Sequence, residues 1–181
     1  MEGRRGGAVL ILLAVQGEPR TLDPDAAGDH IDALFRAACA MCGSRGLAED
    51  LVQETYVKVL AKPRLIRRED DLGYLIKALR NTWYSHLRSE RRRREATTDA
   101  VEDMDRVPAP VGDPEKAYEA SAVLDALAEV PDPYREAVAA VDVAGLSYSE
   151  AAKALGVREG TVMSRLFRGR ERVAQALSPE A

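Results

Sequence analysis

A stretch with no apolar period divides this chain. Residues 96–114 carry Pro108, Pro110 and Pro114 among scattered acids. Such a segment cannot continue a helix and has little to bury, so it reads as a linker. The 181 residues are thus predicted to build small folded units on either side of it. Apolar residues make up 46% of the chain, mostly Ala and Leu, which is enough for a core and favours helix. Two cysteines are too few for a disulfide framework. The longest apolar run, residues 8–15, is far shorter than the roughly 20 residues that span a bilayer.

The net charge of −4 argues weakly against nucleic acid, but its distribution reverses that reading. Residues 29–94 hold 14 Lys or Arg against 9 Asp or Glu. Residues 95–119 hold 8 acids against 2 bases, and residues 150–172 hold 6 bases against 3 acids. Two basic segments flank an acidic one, an arrangement suited to a polyanionic partner.

Residues 1–29 read as a loosely ordered extension. Arg4 and Arg5 precede its apolar run, but no small-residue cleavage site follows, and the basic segments downstream suit the cytoplasm. The unit over residues 30–94 contains three helices. Ile31, Leu34, Phe35, Ala38 and Met41 recur at helical spacing in the first, over residues 30–43. Leu51, Val52, Thr55, Val59 and Leu60 form the stripe of the second, over residues 47–61, which Pro63 ends. Residues 62–71 read as a loop. Leu72, Leu75, Ile76, Leu79, Trp83 and Leu87 mark the third, over residues 72–94. Past the linker, residues 95–116, lies a second helical unit, residues 117–177. Val123, Leu124, Leu127 and Val130 line its first helix. Asp132 is the expected cap of the next, with Pro133 at its first position and Gly145 at its end. Ser147 and Glu150 have capping-box spacing, Gly156 ends the short helix they open, and a last helix covers residues 158–177. No strand shows convincing alternation.

The strongest local signal lies in residues 148–167. Ala152, Gly156 and Val162 stand at the small, turn and anchor positions of a helix-turn-helix. Val162, Leu166, Gly169 and Val173 are predicted to face inward, leaving Thr161, Ser164, Arg165 and Arg168 outward. A polar, basic outer face suits a helix that enters the major groove. The competing reading, an ordinary helical hairpin with a solvated basic face, is the weaker because spacing and charge agree.

The helix over residues 72–94 interleaves Tyr74, Trp83 and Tyr84 with Lys77, Arg80, Arg88 and residues 91–94, all arginine. Aromatics beside bases suit single-stranded DNA, where bases stack and phosphates meet cations. Composition alone leaves this level with a second reading, in which Trp83 is core and the arginines a solvated end. Asp50, Gln53 and Glu54 form the acidic face of an amphipathic helix, which taken alone reads as a solvated face. Cys39 and Cys42, with His30 nearby, fall short of the four ligands of a structural zinc site and read as small core residues.

The sequence AEDLVQETYVKVL, residues 48–60, resembles region two of the bacterial extracytoplasmic-function sigma factors, the small group of the sigma-70 family. GYLIKALRNTWYSHLRSERRR, residues 73–93, is similar to the next part of that region and includes its Arg-Asn pair, Arg80-Asn81. Residues 124–173 resemble region four, most specifically in GLSYSEAA and GTVMSRLFRGRERV. The resemblance implies an all-α chain of two small helical domains joined by an acidic flexible linker, the second a helix-turn-helix. It implies a factor without catalytic chemistry or cofactor, metal or small-molecule substrate. Its partners would be core RNA polymerase, promoter DNA and an anti-sigma factor. Asp50, Gln53 and Glu54 would dock on the clamp of the largest polymerase subunit. Residues 62–71, with Asn81, would capture an unstacked base of the minus-ten element, on a face shared with Arg80, Trp83, Tyr84, Arg88 and Arg91. Thr161, Ser164, Arg165 and Arg168 would read the minus-thirty-five element, and the linker would run toward the RNA exit path.

A stand-alone helix-turn-helix regulator is the alternative. It leaves the face of Asp50 and the basic helix over residues 72–94 without a purpose. A helical interaction module that avoids DNA leaves both basic segments unexplained. Enzyme classes fare worst, with two histidines and neither a phosphate-binding loop nor an H-E-x-x-H motif.

Overall fold

The computed structural model describes residues 20–62, 65–66, 71–96 and 114–178. The described residues are almost entirely helical. In order they form β1 (Arg20–Thr21), α1 (Pro24–Gly28), α2 (Ile31–Cys42), α3 (Arg45–Ala61), β2 (Leu65–Ile66), α4 (Asp71–Ala96), α5 (Pro114–Ala128), α6 (Asp132–Val138), a π-helical turn (Ala139–Val143), α7 (Tyr148–Leu155) and α8 (Glu159–Leu177). Of the linker expected over residues 95–116, residues 97–113 lie outside the described residues, as does most of the loop over residues 62–71, while residues 95–96 end α4 and residues 114–116 open α5.

Local chemistry sets the helix ends. α2 stops at Gly43, whose φ of 68° is open to glycine at little cost. α3 begins where the Ser44 hydroxyl accepts the Leu47 amide at 3.4 Å. Its stripe of Leu51, Val52, Thr55 and Val59 is buried, and Thr55 satisfies its hydroxyl on the Leu51 carbonyl at 2.6 Å. Leu60 and Ile31, both expected inward, are exposed. On α4, Leu75, Ile76, Leu79 and Trp83 are buried. At α6 the cap is Pro131 rather than Asp132. Asp132 is the first helical residue instead, and its carboxylate pairs with Arg135. The capping box at α7 forms as expected. Ser147 Oγ accepts the Glu150 amide at 3.3 Å, and Glu150 accepts the Ser147 amide at 2.9 Å.

Two expectations are overturned at the N-terminal edge. Arg20–Thr21 pairs antiparallel with Leu65–Ile66, a ribbon too short to leave an alternating pattern in sequence. Nor are residues 20–29 loose. Leu22 and Ala27 are buried, and Tyr56 donates its hydroxyl to the Ala27 carbonyl at 2.7 Å. Both features depend on partners some 30–45 residues downstream, which local periodicity does not register.

The two helical units share one contiguous core. α2 packs against α3 and α4 on one side and against α5, α6 and the π-helical turn on the other, while α4 packs against α7. In the second unit α8 lies across α5, α6 and α7. This leaves one flank of α8 and the basic end of α4 at the surface.

Candidate nucleic-acid interface

The outward face of α8 is the better-formed of two basic surfaces. Gly156 ends α7 with a φ of 68°, and Val162, Leu166 and Gly169 are buried beneath α8, so the inward face is the expected one. Ser164 and Arg168 are exposed, and Thr161 and Arg165 are half-buried. Ser164 donates its hydroxyl to the Thr161 carbonyl at 3.0 Å. All four candidates line one open cleft of about 510 Å³, together with Tyr134 and Arg172. Three arginines converging on one cleft make a surface for an anion. The sequence reading missed Tyr134 and Arg172, as well as Met163 and Phe167, two large apolar side chains left exposed on α8. The exposed pair is visible as a break in the polar face. Tyr134 sits 34 residues from Arg168, beyond any local pattern.

The second surface, on α4, is split. Trp83 is only 6% exposed and its ring lies against His86 with centroids 5.8 Å apart. Its expected contact with DNA is therefore withdrawn, since a buried indole has no free face for a base. Arg80 is also turned inward. Its Nε donates to Glu136 on α6 at 2.9 Å, and its guanidinium lies 4.9 Å from the Tyr84 ring centroid. Glu136 is only 5% exposed, so this charge-assisted pair between the two units is well shielded from water. Burial, then the neighbouring Glu136 carboxylate, pushes the Tyr84 phenol up to about 12.

Asn81 is exposed and lines a cleft of about 500 Å³ with Val57, Lys58, Lys62, Lys77 and Ser85. Three lysines around a carboxamide suit a flipped nucleotide, with cations for its phosphate and both a donor and an acceptor for its base. Further along, Arg88 and Arg91 are exposed and, among the described residues, bonded only within α4, to Ser85 at 3.0 Å and Glu95 at 2.8 Å. Exposed pairs of this kind hold their arginines weakly.

On α3, Asp50, Gln53 and Glu54 are all exposed, opposite the buried Leu51, Val52 and Thr55. Glu54 pairs with Lys58 one turn on, at 2.6 Å. Val57 and Leu60 extend this face as exposed apolar residues. Cys39 and Cys42 are buried, and burial, then the neighbouring Cys42, pushes the Cys39 thiol up to about 11. A thiol so protonated packs as a small apolar group.

Residues 27–93 match the family described as Sigma-70 region 2, and residues 120–173 match Sigma-70, region 4. The ECF RNA polymerase sigma factor SigE of Mycolicibacterium smegmatis is 36% identical over 156 residues, 82% of this chain and 59% of that protein. The chain thus spans less than two thirds of that relative. The ECF RNA polymerase sigma factor EcfG of Rhodopseudomonas palustris is 32% identical over 152 residues, 81% of this chain and 80% of that protein. Among solved structures, the sigma factor RpoE of Bartonella quintana, in complex with the anti-sigma factor NepR, superposes with a TM-score of 0.69 at 27% identity. That match covers 87% of this chain and 97% of the other.

Proposed function

The chain belongs to the extracytoplasmic-function sigma factors of the sigma-70 family, and we propose that it gives promoter specificity to core RNA polymerase in transcription initiation. Residues 30–94 act as the unit that docks on polymerase and opens the minus-ten element. Residues 117–177 act as the unit that reads duplex DNA at the minus-thirty-five element. Asp50, Gln53 and Glu54 supply an acidic docking face for the polymerase clamp. Asn81 in its lysine-lined cleft takes an unstacked base, and Arg88 and Arg91 hold the phosphates beside it. Thr161, Ser164, Arg165 and Arg168 enter the major groove. The factor works in the cytoplasm and, like the Bartonella quintana relative, is held by an anti-sigma factor.

The observation that carries this reading is the face of α8. Thr161, Ser164, Arg165 and Arg168 meet in one open basic cleft, while Val162, Leu166 and Gly169 lie in the core beneath. A docked base-reading helix needs this division of polar and apolar positions. The stand-alone regulator explains that face equally well. It does not explain an exposed acidic and apolar face on α3 within a region matching sigma-70 region 2.

The test is transcription in vitro by core polymerase with and without the purified chain. Promoter-dependent transcripts only in its presence are expected, together with weak binding of the free chain to the same duplex. Tight operator binding by the chain alone, with no polymerase dependence, would return the regulator reading. Reversing charge at Asp50 and Glu54 is expected to weaken binding to core polymerase and leave the helical signal unchanged, as both lie off the buried stripe.

A further inference from the structure

Tyr134 on α6 touches two arginines of the recognition helix. The guanidinium carbons of Arg168 and Arg172 lie 5.9 Å and 5.7 Å from its ring centroid. Arg168 also donates from Nη1 to the Tyr134 hydroxyl at 3.2 Å. The hydrogen bond and charge of Arg168 pull the phenol below its ordinary value, and the same contact raises Arg168.

This meeting depends on Gly169. A Cβ at that position would lie 2.6 Å from Val138 Cγ2 and 3.0 Å from the Tyr134 carbonyl oxygen. Glycine therefore lets α8 settle close against α6, which brings Tyr134 within reach of the residues one position before and three after Gly169. The phenol engages only one nitrogen of Arg168. Nε and Nη2 keep donors on a rigid fork, the geometry that meets guanine O6 and N7 in pairs.

We propose that Tyr134 is a positioning residue for base readout: it holds the Arg168 guanidinium in place before DNA arrives, so that Arg168 discriminates between base pairs rather than merely attracting phosphate. Tyr134 itself need touch no base. An exposed arginine free to sample its rotamers must give up that freedom on binding, and it reaches phosphates as readily as base edges. The ring and hydroxyl of Tyr134 remove part of that loss and narrow the choice. The promoter readout rests on the function proposed above; the restraint itself is a property of the free chain.

Two measurements on the full chain test this. The first is the side-chain Nε–H signal of Arg168 in the free protein, by relaxation. It is expected to be ordered in the wild type and averaged in Tyr134→Leu, with Tyr134→Phe between them. Equal mobility in all three overturns the proposal. The second is transcription with core polymerase on promoters carrying single substitutions in the upstream element. Tyr134→Leu is expected to lower discrimination by about three- to tenfold at the base pair that Arg168→Ala relaxes, with the salt slope unchanged because no cation is lost. Tyr134→Phe, which keeps the ring, is expected to lose less. Uniform loss on all promoters, or undiminished discrimination, overturns the proposal. So does a Tyr134→Leu effect that persists in full in the Arg168→Ala background. A wild type that directs no promoter-dependent transcription overturns the functional reading, and the Arg168 signal still decides the restraint.

Discussion

The two basic helices use arginine beside an aromatic ring in opposite ways. On α4, Arg80 lies over Tyr84 and closes on Glu136, a carboxylate buried between the two units. On α8, Arg168 meets Tyr134 at the rim of an open cleft, and both groups remain accessible. One cluster ties protein to protein and the other presents a cation outward. Both pair an arginine with a tyrosine, Arg80 with one a turn along its own helix and Arg168 with one 34 residues away on α6, and what separates them further is the burial of the partner. A nearly dry carboxylate commits its arginine, because leaving it unpaired is expensive, whereas an accessible phenol restrains its arginine and leaves it free to meet another partner.

Removing each arginine is the sharpest way to break this comparison. Arg80→Ala strands Glu136 and is expected to destabilise the fold by about 3 kcal/mol. Arg168→Ala is expected to change stability by no more than about 0.5 kcal/mol. Urea unfolding of both variants measures the difference, and equal midpoints would dissolve the distinction drawn between the two helices.

A second contrast separates two helical glycines. Gly169→Ala pushes a methyl into Val138 and the Tyr134 carbonyl, and is expected to cost about 1–3 kcal/mol by overpacking. Gly46→Ala on α3 meets nothing within 4 Å and is expected to be neutral or to stabilise by up to about 1 kcal/mol. Opposite signs in thermal unfolding are the expected result.

The capping box of α7 offers a smaller effect with a pH signature. Ser147→Ala is expected to cost about 1 kcal/mol at neutral pH. Hydrogen bonds from Ser147 hold the Glu150 carboxyl below its usual value in the folded state. A depressed folded pKa gives stability that is present above the unfolded pKa and lost as pH falls through the folded one. The gap between wild type and Ser147→Ala is thus expected to narrow below about pH 4, read from denaturation at a series of pH values.

The smallest effect concerns the cysteines. Buried and protonated, Cys39 and Cys42 are expected to resist alkylation at pH 8 in the native chain and react fully once it is unfolded. Rapid labelling of the native protein would show an open thiolate and remove the core reading.

Much of the candidate interface was legible because helices bury one stripe. Val162, Leu166 and Gly169 inside imply Thr161, Ser164, Arg165 and Arg168 outside, and the polar face of α8 follows from 3.6-residue periodicity. The acidic face of α3 is legible for the same reason. Trp83 was not, because an aromatic on the shoulder of a stripe satisfies a core and a stacking platform equally well until its neighbours are known. Leu60 failed in the opposite direction, extending a stripe past the point where the core ends.

Helix order from α2 onward, the cap at Ser147, the turns at Gly43 and Gly156 and the polar face of α8 were determined by the sequence itself. Each depends on atoms within one or two turns of each other, so local residue choice is sufficient. The Arg80–Glu136 pair, the ribbon of Arg20–Thr21 with Leu65–Ile66, and Tyr134 beside Arg168 were decided only by tertiary structure. Their partners are separated by 56, about 45 and 34 residues. Their meeting depends on how close two helices come and which side chain fills the gap. At Gly169 a single missing methyl sets that distance, and no periodicity in the chain records it.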